Sequence, residues 1–332
     1  MFGSPSRRQL LPLAAMVLLS PLLAWVVPEY LLYVGNVLMM DAILAIGLDI
    51  LLGWSGQFAF AHIAFFGIGI YGTALLGMRA GVPFLLGMPL SALLAAAVGF
   101  VIALPATRLR EVYLALATFA FAESMQWLIR TWDSLTNGPD GLRITAPALI
   151  GYVVGTDRRA FVPMAVLLAA MLAATLYLTR SNLGRSLSAI RDSEHAAATS
   201  GIDVRRTKVA AFTISAFYAG VAGGSYTLFG SFIHPDDLGI WQLVQVLTMI
   251  VVGGSGSIPG VLLGVLLVGL LPELLRVAPA AWLVWQELAY GLILTLAVMF
   301  LPNGLRSVLR RPARATAPPR ARTAPVVEHP VP

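Results

Sequence analysis

Few residues in this chain combine the types and spacing that chemistry needs. Gly67-Ile-Gly69-Ile-Tyr-Gly72 has the glycine spacing of a dinucleotide-binding turn. It follows no strand and lies inside an apolar run, so it carries no nucleotide reading. A phosphate-cradling P-loop needs Gly-Lys followed by Ser or Thr. The only lysine, Lys208, stands between Thr207 and Val209, so ATP, if it is used, must bind elsewhere. There is no cysteine, which excludes disulfides and thiolate metal sites. The remaining acidic and histidine residues are too scattered for a metal cluster or a hydrolytic triad. What stands out is polar side chains inside apolar runs, which are costly in a membrane and point to function. His62 lies one turn beyond Gln57. Glu123 and Gln126 are spaced i, i+3, as are Gln242 and Gln245, so each pair shares a helix face. Asp41 and Asp49 fall in one further run. Together they read as the polar lining of a solute pathway. Singly, each is also explained by an interhelical hydrogen bond that sets packing.

The elements that must position these residues follow from composition. The 332 residues are 58% hydrophobic and 11% charged, with a mean hydropathy of +0.83. Soluble domains carry about 25% charged residues. No water-soluble core hides so much apolar surface, so the bilayer is the solvent, and the expected fold is an all-α polytopic membrane protein. A span needs about 20 apolar residues. Candidates are 10–27, 33–52, 57–78, 83–104, 112–130, 161–179, 209–232, 240–253, 258–276 and 286–302. This gives about ten spans, or eight if weak neighbours are paired differently. The weakest is 240–253, which is short enough to be re-entrant. Arg7 and Arg8 ahead of an apolar run resemble a signal peptide, but no small-x-small cleavage site precedes Pro28, so a retained first span is expected.

Charge sets the orientation. With residues 1–9 on the cytoplasmic side, ten spans place 16 of the 22 basic residues there, as the positive-inside rule requires. Both termini are then cytoplasmic, and the permease domain runs from 10 to 304. The Pro/Ala/Arg-rich tail, 305–332, has a composition that predicts disorder and contact with lipid at most. The net charge of +6 invites a nucleic-acid reading, but the bases lie in loops and tail rather than on one folded face. Nucleic acid is not an expected partner.

Two features interrupt the spans. Leu51-Leu-Gly53-Trp-Ser-Gly56-Gln57 and Val251-Val-Gly253-Gly-Ser-Gly256-Ser257 share a small polar pattern. Such breaks in corresponding segments point to discontinuous helices along a pathway, and a repeat of this kind would be parallel. Two ordinary tight turns explain them as well. Gly220/Gly224 and Gly260/Gly264 are small-xxx-small pairs that read as packing. The second feature is the polar loop 180–208, with six bases and helix-forming sequence. It has no chemistry of its own, and suits a cytoplasmic helix pushed by a soluble partner.

At this point the sequence resembles the M-type branched-chain amino acid ABC transporter permeases. The segments are Gly47 to Gln57 running on through Ala61 to Tyr71, Leu109 to Thr118, Leu135 to Leu142, Gly184 to Asp192, Val252 to Gly260, and Phe300 to Leu305. They occur in the family's order and span roughly 40 to 306. Similar permeases carry a coupling motif of Glu-Ala-Ala, three residues, then Gly. Here Glu194-His195-Ala196-Ala197-Ala-Thr-Ser-Gly201 is similar, with His195 inserted after the Glu. The family pattern has Asn at Asp49 and Leu-Ser-Leu-Gly where Phe58-Ala-Phe-Ala61 stands.

The resemblance implies a bacterial inner-membrane permease subunit of an ATP-driven importer for leucine, isoleucine and valine. A second homologous permease would complete the pore, and two ATP-binding-cassette subunits would bind ATP and Mg. An extracytoplasmic binding protein would deliver the amino acid. No cofactor is expected on this chain, and no enzyme activity. Gly53, Gly56, Gln57, His62, Glu123, Gln126, Gln242 and Gln245 are the pathway or gating candidates. Gly184, Arg185, Arg191, Glu194, Ala196, Ala197 and Gly201 are the ATPase-coupling candidates. Two alternatives stay open. One is an importer of the same type for urea or short amides. The other is a gradient-driven transporter using Asp41, Asp49 or Glu123 as its coupling carboxylate.

Overall fold

The computed structural model describes residues 7–109, 111–145, 147–149 and 152–276, with isolated positions between 288 and 299. Apart from those positions the expected tenth span lies outside the described residues, as do the tail and the segment 300–305. The long helices are α1 (Arg7–Val26), α2 (Glu29–Asp49), α3 (His62–Ala80), α4 (Phe84–Ala106), α5 (Glu111–Thr131), α7 (Asp157–Arg180) and α10 (Val204–Tyr226). The shorter ones are α6 (Asp133–Thr136), α8 (Asn182–Asp192), α9 (Glu194–Thr199), α11 (Ile240–Gly253), α12 (Ile258–Gly269) and α13 (Leu271–Arg276). The chain is therefore an all-α, multi-pass membrane protein. Its few strands are two-residue pairs: β1 (Leu142–Arg143) with β4 (Phe232–Ile233), and β2 (Ala148–Leu149) with β3 (Tyr152–Val153), both antiparallel.

Five segments are long and apolar enough to cross a membrane: Glu29–Trp54, His62–Ala80, Phe84–Ala106, Val112–Thr131 and Asp157–Arg180. Leu11–Val26, Ile240–Gly253 and Ile258–Glu273 are shorter apolar helices. Large apolar side chains stand exposed along the outside, among them Leu86, Leu93 and Val101 on α4 and Val112, Leu116 and Trp127 on α5. Such residues are tolerable where the surroundings are lipid or another apolar chain.

The least apolar of the long helices lies at the centre. α10 packs against α2, α3 and α4. Its interior is Ala216, Ala219, Ala222 and glycines, all buried. A Cβ on Gly220 would come within 2.8 Å of the Ala92 backbone on α4, and one on Gly224 within 2.6 Å of Met88. Lipid offers no hydrophobic drive between helices, so close backbone approach supplies the packing. The same holds for Gly260 and Gly264, where added methyl groups would meet the Gly253 and Met249 carbonyls on α11.

The helices alternate in direction, and two ends can be told apart. One end holds the β1–β4 pair, the 3-10 turns Gly138–Asp140 and Pro235–Leu238, and the Arg130–Asp236 ion pair. The other holds both glycine–serine breaks together with α8 and α9. α11, a shorter apolar helix, runs from the Pro235–Leu238 turn at the first end to the breaks at the second. α12 and α13 return, and Glu273 meets the Tyr30 hydroxyl at the far end. The third span begins at His62 rather than 57, because Gln57 to Ala61 is irregular chain.

Candidate functional site

The site is built where α2 ends. α2 does not stop at Asp49 but widens into a π-helical turn over Ile50–Trp54. Single π turns frequently mark functional positions. Ser55 Oγ donates to the Leu51 carbonyl at 2.8 Å, and Gly56 takes φ +70°, where a glycine is at ease. The chain then runs irregularly to His62, with Phe60 N donating to Thr118 Oγ1 on α5 at 2.9 Å. Breaking the helix frees backbone groups that a membrane interior cannot solvate, so each needs a partner inside the protein.

The partners come from the second break and from the polar loop. Gly256 N donates to Asp49 Oδ1 at 2.8 Å. A Cβ on Gly53 would overlap both that amide and the Asp49 carboxylate. The two small polar patterns are thus face to face. Arg191 Nη1 on α8 donates to the Gly53 carbonyl at 2.5 Å, and its aliphatic stem lies over Gly56, about 3.5 Å from where a Cβ would stand. A charged donor on a carbonyl is worth about 1.5–3 kcal/mol. Gly53, Gly56 and Arg191, picked for two different roles, form one cluster. Asp49, considered as a coupling carboxylate, is the strut between the breaks.

Local sequence explains how the loop reaches this place. Ser181 caps α8 by accepting from Gly184 N at 3.3 Å. Gly184 itself lets α8 fold against α7, since a Cβ there would come within 2.5 Å of the Leu178 carbonyl. Leu187 and Ile190 are buried and Leu183 packs on the core, an i, i+4, i+7 stripe that seats α8 on the bundle. Arg185 stays local, donating to the Arg180 carbonyl and to Asn182. Ser193 then caps α9. α9 ends in a Schellman motif: Gly201 N donates to Ala198 O at 3.0 Å and Ile202 N to Ala197 O at 3.1 Å, with Gly201 at φ +82°. Ala197 is buried, whereas 191–196 and 198–201 are exposed. Glu194 turns back to pair with Lys208 at the start of α10.

The other candidates lie elsewhere. Gln57 is buried, its Nε2 donating to Ser55 Oγ at 2.8 Å and to Lys208 O at 3.4 Å. His62 is buried at a helix crossing, with Nε2 2.9 Å from the Leu44 carbonyl on α2 and Nδ1 3.1 Å from Ser215 Oγ on α10. Both ring nitrogens are thereby occupied by partners on two neighbouring helices. Gln126 donates to the Pro235 carbonyl at 3.2 Å, close to where α11 begins. Glu123, on the same helix, is exposed on a flank that the described residues leave uncovered. Gln242 and Gln245 are half-buried on α11. The Gly53–Arg191 cluster and the α5 flank are separate places.

Comparison with known proteins agrees with this architecture. A family model described as the permease component of the branched-chain amino acid transport system matches residues 30–301. The high-affinity branched-chain amino acid transport system permease protein LivM of Escherichia coli is 31% identical, over 91% of this chain and 76% of its own length. LivH of Salmonella typhimurium, a permease protein of the same system, is 28% identical over 80% of this chain and 90% of its own. The autoinducer 2 import system permease LsrC of Klebsiella pneumoniae is 30% identical over 53% of this chain and 50% of its own. No solved structure matches. A multi-pass helical bundle, two breaks tied together and a match over most of its length place this chain in the family of branched-chain amino acid transport permeases.

Proposed function

We propose that this chain is one permease subunit of an ATP-driven importer that carries branched-chain amino acids across a bacterial inner membrane. The observation that carries this reading is the Arg191–Gly53 bond. It joins an exposed helical loop, with no chemistry of its own, to the broken end of a membrane helix. A nucleotide-driven partner seated on 191–201 would move Arg191, and Arg191 would move the break. The bases of 180–208 put this end in the cytoplasm, and both termini with it.

Two ATPase subunits bind ATP and Mg and dock on α8 and α9, with a soluble binding protein at the opposite end. A second, homologous permease covers the exposed α5 flank. An intramembrane carboxylate such as Glu123 costs about 2.5–3.5 kcal/mol in lipid, so it faces that subunit or the pathway between the two. Gln126, Gln242 and Gln245 are the further candidates on that side.

Gentle extraction of the tagged chain from native membranes tests this. Recovery of ATPase subunits and a second permease, with leucine uptake that survives an uncoupler at constant ATP, is the expected result. Transport by this chain alone in proteoliposomes without ATP would overturn it.

A further inference from the structure

α4 and α10 leave a groove of about 730 Å³ between them. Small-molecule sites fall in about this range of volume. Phe100 and Leu104 line it from α4, and Ala210, Thr213 and Ile214 from α10. Asp203, Arg205 and Arg206, where α10 begins, complete the lining. We propose that this groove binds an anionic phospholipid, its phosphate on the two arginines and one acyl chain between the helices.

The residues divide the groove into an apolar body and a basic rim. Further along the crossing, small residues bring the helices together, with Gly99 against Ala216 and Gly220 against Ala92. Near the start of α10, the large Phe100 and Leu104 of α4 and the small Ala210 and Thr213 of α10 line an open space instead. Thr213 Oγ1 donates to the Val209 carbonyl of its own helix at 2.9 Å, so its hydroxyl asks nothing of an occupant. At the rim, Arg206 gives its Nε–H to Asp203 Oδ2 at 3.0 Å, and Asp203 Oδ1 accepts from Arg206 N. The one acid of the rim is thereby matched within the protein. The Arg206 side chain is still 90% exposed, with its two Nη groups left for a ligand. Arg205 is exposed and has no partner among the described residues.

The surroundings select the occupant. Leu86, Leu93 and Phe100 recur at i, i+7 along α4 and Leu104 follows at i+4, so the four share one helix face. All are exposed. This apolar face leads into the groove and meets the arginines at the end that carries α8 and α9. A water-soluble anion would suit the arginines and gain nothing from Phe100, Leu104 or Ile214. An apolar helix of another chain would fill the body and shut Arg205 away from water without a counter-charge, which is costly. The chain's own segment 305–332 holds six arginines and one glutamate, the wrong sign for this rim. An anionic phospholipid meets both parts: its phosphate takes the guanidinium forks, and its chain runs along the exposed α4 face. Arg205 comes shortly after Gly201, so the lipid would hold the start of α10 beside the coupling loop.

The test uses the assembled complex in phosphatidylcholine nanodiscs that contain a small fraction of phosphatidylglycerol with a photoreactive acyl chain. Illumination is expected to label this chain within 100–104 and 209–214, in a saturable way. Unlabelled phosphatidylglycerol should compete, and glycerol phosphate should not. Arg205→Gln leaves the Asp203–Arg206 pair in place and should raise the phosphatidylglycerol needed by about fivefold. Arg205→Gln with Arg206→Gln should raise it by about twentyfold or more. Thr213→Leu, which fills the groove without changing its charge, should reduce labelling of the same two segments. Equal labelling by phosphatidylcholine with the same photoreactive chain would mean an ordinary lipid annulus and overturn the site. Labelling unchanged in the double arginine variant, or competed by glycerol phosphate, would also overturn it. Labelling of the isolated chain that disappears in the complex would make the groove a subunit interface, again overturning the site. None of these readouts uses transport, so their failure leaves the importer reading untouched.

Discussion

The two glycine–serine breaks share a pattern and differ in construction. The first, 50–61, is a π turn followed by irregular chain, and three other elements hold it, through the Arg191 and Thr118 side chains and the Lys208 carbonyl. The second, 253–257, is a tight turn between α11 and α12, with Gly254 and Gly256 at positive φ and Ser257 capping α12. Glycine is set against glycine at its Gly253–Gly260 contact, and on its other side Gly256 meets the Asp49 carboxylate and the Arg191 side chain. The first break is held mainly by hydrogen bonds from other elements, the second by close backbone packing and one hydrogen bond to Asp49. The difference teaches that a shared break pattern does not imply a shared task. In the proposed coupling, the first break is the part that moves and the second is the abutment against which it moves.

The comparison can be broken most severely at the abutment. Gly264→Leu would drive a side chain into the Met249 carbonyl, a clash beyond the usual overpacking cost of about 1–3 kcal/mol. The expected outcome is loss of monodisperse protein after extraction, read by size-exclusion chromatography. Gly201→Pro comes next. Proline fixes φ near −65° where the chain needs +82°, and it removes the N–H that closes α9. Membrane insertion should persist while uptake is abolished. Normal uptake would remove α9 from the coupling route.

The link between the breaks is sharpened by a pair of variants. Asp49→Ala leaves Gly256 N without its acceptor, a loss of about 1–3 kcal/mol, and uptake should fall several-fold. Asp49→Asn keeps an acceptor oxygen there and should stay near wild type. Equal loss in both would mean that the charge, not the strut, matters, as a gradient-driven mechanism requires. The smallest effect is expected from Ser257→Ala. It removes a cap worth about 1 kcal/mol and should lower the unfolding midpoint slightly while leaving uptake unchanged.

Much of this was legible in residue order. Of the ten expected spans, five coincide with segments long and apolar enough to cross a membrane and three with shorter apolar helices. The small-xxx-small pairs fell at helix crossings because small residues serve little else in a lipid-facing bundle. Gly201 ended α9, as a glycine after a short helix often does. What order could not give was proximity. Gly53 and Arg191 are 138 positions apart, and nothing local shows that they meet. His62 carries the same signal in residue order whatever it faces, and its partners, Leu44 and Ser215, are 18 and 153 positions away. Glu123 and Gln126 share a face by spacing, yet one reaches the Pro235 carbonyl and the other is exposed. The exposed Glu123 is the more informative of the two, and burial alone reveals it.

Coupling through Arg191 is tested most directly by leucine uptake per ATP hydrolysed in the reconstituted complex carrying Arg191→Met. Methionine preserves the aliphatic stem over Gly56 and removes the donor to Gly53. The predicted result is a complex that assembles and hydrolyses ATP, with uptake per ATP reduced about tenfold or more, in line with the loss of one charged hydrogen bond. An unchanged ratio would contradict the claim that motion reaches the broken helix through this bond.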